Sequence, residues 1–161
     1  MTRRRPHRRS GYGPGWTPID IARSQAAKLT AAERATVMRP LTQHVDAMRQ
    51  GRGTADDRAV LAGSLMMAEA IEAQGKVTGL ADHWRDIDRA LSAIEERASR
   101  TGPWRPPTLY AAELDALALL LRLHGFQLEH VSFGEFARAR DTVAAQVRSR
   151  HGQVIYQEAS A

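Results

Sequence analysis

The sequence predicts an all-α protein: an antiparallel helical bundle of five to six helices behind a disordered, basic N-terminal arm. Three observations predict this class. Six segments repeat their apolar residues at a period near 3.6, and none sustains the alternation a strand needs. A hydroxyl residue followed three positions later by an acid recurs where these segments begin, the pattern of a helix cap. The connections are short, which favours antiparallel neighbours. A chain of 161 residues is long enough for one domain with a substantial core. The expected division is an arm over 1–16, a bundle over 17–150 and a tail over 151–161.

The arm reads MTRRRPHRRSGYGPGW. Its prolines and glycines disfavour a helix, and it has little to bury, so it is expected to be disordered. Thr17, Pro18 and Asp20 supply a cap, a first helical residue and an acid for a short helix to about Lys28. Thr30 and Glu33 open the second helix, with Val37, Leu41, Val45 and Met48 at helical spacing. Pro40 falls inside it and is expected to kink or split it, because proline cannot donate to the Thr36 carbonyl. Gly51 and Gly53 end this helix. Thr54 and Asp57 open the third, with a stripe of Leu61, Leu65, Ala68 and Ile71, and Gly75 and Gly79 bracket the turn that follows.

The fourth helix is expected from about Leu80 to Ser99, on the series Leu80, Trp84, Ile87, Leu91, Ile94 and Ala98. The fifth follows the loop TGPWRPP, on the series Tyr110, Leu114, Leu117, Leu121, His124, Leu128 and Val131. Gly125 within it suggests a close helix crossing. Ser132 and Glu135 cap a sixth helix lined by Phe133, Phe136, Val143 and Val147. The alternating steps of four and three resemble coiled-coil seams. Each lasts only two to three heptads, so an intramolecular bundle is favoured and an oligomer is also admitted.

The formal net charge is +5, and Arg3, Arg4, Arg5, Arg8 and Arg9 supply all of it. From residue 10 onward the basic residues match the 18 acidic ones. Any electrostatic affinity for DNA or RNA therefore belongs to the arm. Its arginines can neutralise phosphates, and Tyr12 and Trp16 can stack on bases. A solubilising tail with Trp16 packed beside the first helix is the alternative. All but two of the 23 basic residues are arginine, a bias that genomic base composition alone can produce.

Other classes are disfavoured. With no cysteine there is no disulfide, thiolate metal site or cysteine nucleophile, which suits a reducing cytoplasm. The basic start lacks the apolar run of a secretory signal. The longest apolar stretch, LDALALLLRL, is broken by Asp115 and Arg122 and falls short of a membrane span, so a cytoplasmic protein is expected. Asp82, His83, Asp86 and Asp88 form the most site-like cluster, but they lie off the stripe of Leu80, Trp84 and Ile87 and read as a solvated face. His124 reads as a core or boundary histidine, and His130, six positions on, does not converge with it. The arginines of the last helix raise a helix-turn-helix reading, but no glycine turn divides that segment. No metal, cofactor or catalytic set is called for. In the loop before the fifth helix, Trp104 and Arg105 are candidates for protein contact, with Trp104 either an exposed anchor or a lid folded onto the bundle.

The stretches RGTADDRAVLAGSLMMAEAI and RTGPWRPPTLYAAELDALALLLRLHGFQLEHVSFGEFARA resemble small helical proteins of proteobacterial prophages and other mobile elements. The basic leader is similar too. The likeness covers roughly residues 51–140, and Gly125-Phe126 departs from a more polar segment in that pattern. The resemblance implies a genomic context and no activity. The expected function is that of a non-enzymatic binding protein: the body docks a host or phage protein, or itself, and the arm contacts nucleic acid. The alternative is a protein-interaction module, an inhibitor or adaptor, with no nucleic-acid role.

Overall fold

The computed structural model describes residues 15–150 and is all-helical over them, with six helices. They are α1 (Pro18–Ala26), α2 (Ala31–Arg49), α3 (Ala55–Glu72), α4 (Ala81–Ser99), α5 (Ala111–His130) and α6 (Phe133–Ser149). Four begin with a reciprocal cap, made by Thr17 with Asp20, Thr30 with Glu33, Thr54 with Asp57 and Ser132 with Glu135. In each, hydroxyl and carboxylate accept backbone N–H groups that the first turn leaves without intrahelical partners.

Helices α2, α3, α4 and α5 form a closed ring in which each packs on the next and α5 returns to α2. Their inward stripes meet in one core built around Leu41, Leu61, Trp84, Leu91 and Leu117. Helix α6 lies outside this ring against α3, and α1 lies against α6. A smaller core of Leu29, Ile71, Leu128, Val131 and Ala139 fills the end where α6 joins the ring.

The α1 helix stops at Ala26, short of Lys28, because the next residues pair with another segment. Lys28 and Ser132 form an antiparallel bridge. Within it the Phe133 N–H donates to the Ala27 carbonyl at 2.9 Å and the Leu29 N–H to the Val131 carbonyl at 3.4 Å. From this bridge α1 and α6 run back side by side in opposite directions. Gly134 permits the approach: a Cβ there would lie 3.0 Å from the Gln25 carbonyl oxygen.

Several expectations need correction. Pro40 does not split α2, which runs unbroken from Ala31 to Arg49. Pro40 is exposed, so water can serve the carbonyl it leaves without a donor. On α5 the buried face is Glu113, Leu117, Leu120, His124, Gln127 and Leu128. Tyr110 is 63% exposed, while Leu114 and Leu121 lie at the boundary. Leucines spread well beyond the buried face of this helix, so its apolar series has two acceptable phases, and polar residues with partners occupy part of the true inner face. Gly125 marks no close crossing, because its nearest neighbour would be the Met38 methyl at an ordinary 3.8 Å. On α6, Phe133 is exposed and Phe136, Val143 and Val147 are half-buried, while Gly134 and Ala139 make the buried contacts. Helix α6 meets its neighbours through small residues, which apolar periodicity does not register.

Candidate functional site

Arg3, Arg4, Arg5, Arg8, Arg9 and Tyr12 lie outside the described residues. The arm's attachment point is described. Trp16 is 48% exposed, and with Gly15, Asp20, Arg23 and Ser24 it lines a shallow, open depression at the start of α1. Helix α1 buries no side chain, and Ile19 on it is 64% exposed. The arm thus joins the body at a thin outer layer, held through α6 and the bridge at Lys28.

The loop carrying Trp104 and Arg105 is folded onto the bundle. The Trp104 indole is half-buried against the main core, and its Nε1–H donates to the Gly53 carbonyl at 2.8 Å. This fastens the α4–α5 loop to the α2–α3 turn. Gly53 is close-packed, since a Cβ there would collide with the Met48 side chain. The Arg105 N–H donates to the Ala98 carbonyl at 2.9 Å, and its side chain stays exposed. The anchor and lid readings therefore divide between neighbours: the indole belongs to the bundle and the guanidinium faces solvent.

The same loop is held at its far end by an ion pair the sequence reading missed. Arg97 on α4 donates Nη1–H to Glu113 Oε1 at 2.5 Å and Nη2–H to Glu113 Oε2 at 2.6 Å. Glu113 also accepts the Tyr110 N–H at 2.8 Å, which caps α5, and the guanidinium lies 4.4 Å from the centre of the Tyr110 ring. Burial pushes the Glu113 carboxyl up, but the Arg97 and Tyr110 hydrogen bonds outweigh it and hold the group below its ordinary value. The hydrogen bond to Glu113 raises Arg97 in turn.

A second missed carboxylate, Glu72 at the end of α3, accepts the Leu80 N–H at 2.8 Å and the Trp84 indole N–H at 2.5 Å. It caps α4, which has no side-chain cap of its own. Asp57, read from the sequence as the cap partner of Thr54, binds Thr54 as expected and also contacts His44 Nδ1 at 2.6 Å, a contact the sequence did not reveal. Burial raises Asp57, while His44 and Thr54 together bring it below its ordinary value.

The cluster at Asp82 faces solvent, as expected: Asp82, His83, Asp86 and Asp88 are all exposed. Asp82 pairs with Arg85, and Asp86 with Arg89 at 3.0 Å, the ordinary traffic of a helix surface. Among the described residues no three histidine or acidic side chains gather as metal ligands. His124 is buried at 2% exposure, with Nδ1 3.4 Å from Gln127 Oε1, and burial lowers its pKa. Gln127 donates in turn to the Ala68 carbonyl at 2.9 Å, joining α5 to α3. His130 is exposed and bonded to the Phe126 carbonyl, apart from His124. Helix α6 is one uninterrupted helix through the segment tested for a helix-turn-helix. Among the described residues no helix is long and apolar enough to cross a membrane.

Comparison of the chain with protein-family models, curated proteins and solved structures finds no match.

Proposed function

We propose that the chain is a non-enzymatic binding protein of mobile-element origin, whose helical body docks a protein or a second copy and whose arginine arm contacts DNA or RNA without sequence preference. The observation that carries this reading is the partition of charge. Five arginines within nine residues hold the whole net charge of +5, ahead of a formally neutral body. A compact run of arginine beside aromatic residues neutralises phosphates and offers stacking faces, and it selects no base edges. The resemblance over residues 51–140 supports the mobile-element origin.

The test is retention of a labelled oligonucleotide by the full chain and by a variant with Arg3, Arg4, Arg5, Arg8 and Arg9 changed to glutamine. The reading expects the variant to lose retention at moderate salt while its helicity is unchanged. Equal retention by both proteins would refute the arm as the contact.

A second reading, an inhibitor or adaptor without a nucleic-acid role, is favoured by one observation. Two hydrogen bonds fix the loop that presents Arg105, so this guanidinium stands on a rigid support. A rigid support lowers the ordering cost of binding a partner. Under this reading Arg105→Ala weakens capture of an acidic protein partner while the five-arginine variant does not.

A further inference from the structure

Helix α5 has an outer face that the ring does not use. Ala111, Asp115, Ala118, Arg122, Phe126 and Glu129 are all exposed, on the side away from the buried face, and Asp115 and Ala118 border a shallow groove shared with Val45 and Arg49 of α2. They follow one another at steps of four, three, four, four and three, so they form a second stripe along the same helix. A helix apolar on most sides is usually covered on most sides. Phe126 is 49% exposed at one end of the stripe, and Leu119 beside it is only half-buried.

The charges on this face are its most informative feature. Asp115 and Arg122 are seven residues apart, within about 20° of each other around the helix and roughly 10 Å along it. Neither has an ion-pair or hydrogen-bond partner within the described chain. Other exposed acids of the ring helices divide: Asp82, Asp86 and Glu95 pair with Arg85, Arg89 and Arg58, while Asp88 and Glu96 form no ion pair among the described residues. Two copies of α5 laid antiparallel about a twofold axis between Ala118 and Leu119 bring each Asp115 opposite the other copy's Arg122. The same register sets each Phe126 over the partner's Ala111. It places Ala118, whose side chain is only a methyl, at the crossing, where two helix axes approach most closely. A twofold interface requires a patch complementary to itself, and this stripe meets that requirement in charge and in size.

We propose that α5 is a homodimer seam in which two copies pack antiparallel through Ala118, closed by two reciprocal Asp115–Arg122 pairs. The inference rests on the reading that the body docks a second copy, and it names the surface. The pairs give register and orientation more than affinity, which comes from the apolar contacts between them.

The test is charge exchange in the full-length chain, read as molar mass by sedimentation at matched concentrations. The wild type is expected at twice the mass of one chain. Asp115→Arg alone and Arg122→Asp alone each place like charges opposite one another, and each is expected to lose the dimer with helicity intact. An equimolar mixture of these two variants restores both attractive pairs and is expected to recover dimer as the mixed species. Because the chain has no cysteine, Ala118→Cys provides an independent readout. Mild oxidation is expected to link it into covalent dimer, and a cysteine at exposed Arg85 on α4 is not. A wild-type monomer, or single variants that stay dimeric, overturns the seam. Oligonucleotide retention is measured on the same samples: a monomer that retains DNA overturns the seam alone, and a dimer that the single charge variants lose, without DNA retention, upholds the seam and overturns the arm reading.

Discussion

Replacing Glu113 with alanine tests whether the α4–α5 loop is held as described. The substitution removes two short bonds to Arg97 and the acceptor of the Tyr110 N–H. Breaking a fully buried ion pair by deleting one partner costs about 3–5 kcal/mol. Here the Glu113 side chain is 7% exposed and that of Arg97 20%, so the stranded guanidinium regains part of its hydration. Loss of the cap adds about 1 kcal/mol. A total near 3 kcal/mol follows, which for a domain of this size lowers the melting temperature by roughly 10 °C. Glu113→Gln keeps one oxygen that can accept from both Tyr110 N–H and Arg97 Nη2–H, but turns an amide NH2 toward Arg97 Nη1–H and removes the charge, so it is expected to cost less than Glu113→Ala but still to destabilise. Thermal unfolding of Glu113→Ala, Arg97→Met and the double variant closes a cycle. The account expects the two single effects to fall short of additivity by about 1.5–3 kcal/mol. Glu113 sits below its ordinary pKa when folded, so its contribution is complete above about pH 4.5 and is lost as pH falls through the folded value. Additive effects, or a loss below 1 kcal/mol for Glu113→Ala, would refute the reasoning.

Other substitutions separate the remaining contacts. Pro40→Ala restores a donor to the Thr36 carbonyl in an exposed, unbroken helix and is expected to stabilise by about 1–3 kcal/mol; a neutral or negative change in denaturant midpoint would count against it. Gly134→Ala presses on the Gln25 backbone and is expected to destabilise, whereas Gly125→Ala has room and is expected to stabilise by up to about 1 kcal/mol. Urea titration of the two glycine variants should give shifts of opposite sign. Burial lowers the His124 pKa, so its contribution is complete above about pH 6.5 and declines as pH falls, by up to about 1.4 kcal/mol per pH unit. Glu69 acts with the opposite sign at lower pH, because burial and the charges of Asp88 and Glu72 raise its carboxyl. The measurement is therefore the difference in stability between wild type and His124→Leu from pH 7 to pH 5, and a constant difference would contradict the placement of His124.

The helix boundaries were legible because their signals are local. A capping hydroxyl and its acid sit three residues apart, and the hydrogen bonds they imply are made within the same turn. The stripe of α4 was legible because charged residues frame it, and that of α3 because its largest aliphatic side chains fall on one face. The phase of α5 was not, because its leucines extend well past the buried face and several deciding residues are polar. Glu113, Gln127 and Glu72 read as surface residues until their partners are known, and those partners are Arg97, Ala68 and Trp84 on other helices. The hold of α6 on α1 was equally hidden, since it depends on the lack of a side chain at Gly134. Of the candidate site, the solvated face at Asp82 was legible from its register against the Trp84 stripe. The division between Trp104 and Arg105 was not, because the Gly53 carbonyl that fixes the indole lies 51 residues away.

The most direct test of the central claim is the salt dependence of oligonucleotide binding by the full chain. Five arginines in contact with phosphates of a duplex give a slope near −4.5 for log K against log salt, or about a 500-fold loss between 50 and 200 mM. The account predicts that slope for the wild type, a shallower one near −3.5 for a single strand, and no measurable binding once the five arginines are glutamine. A slope unchanged by those five substitutions would place the contact on the neutral body and contradict the account.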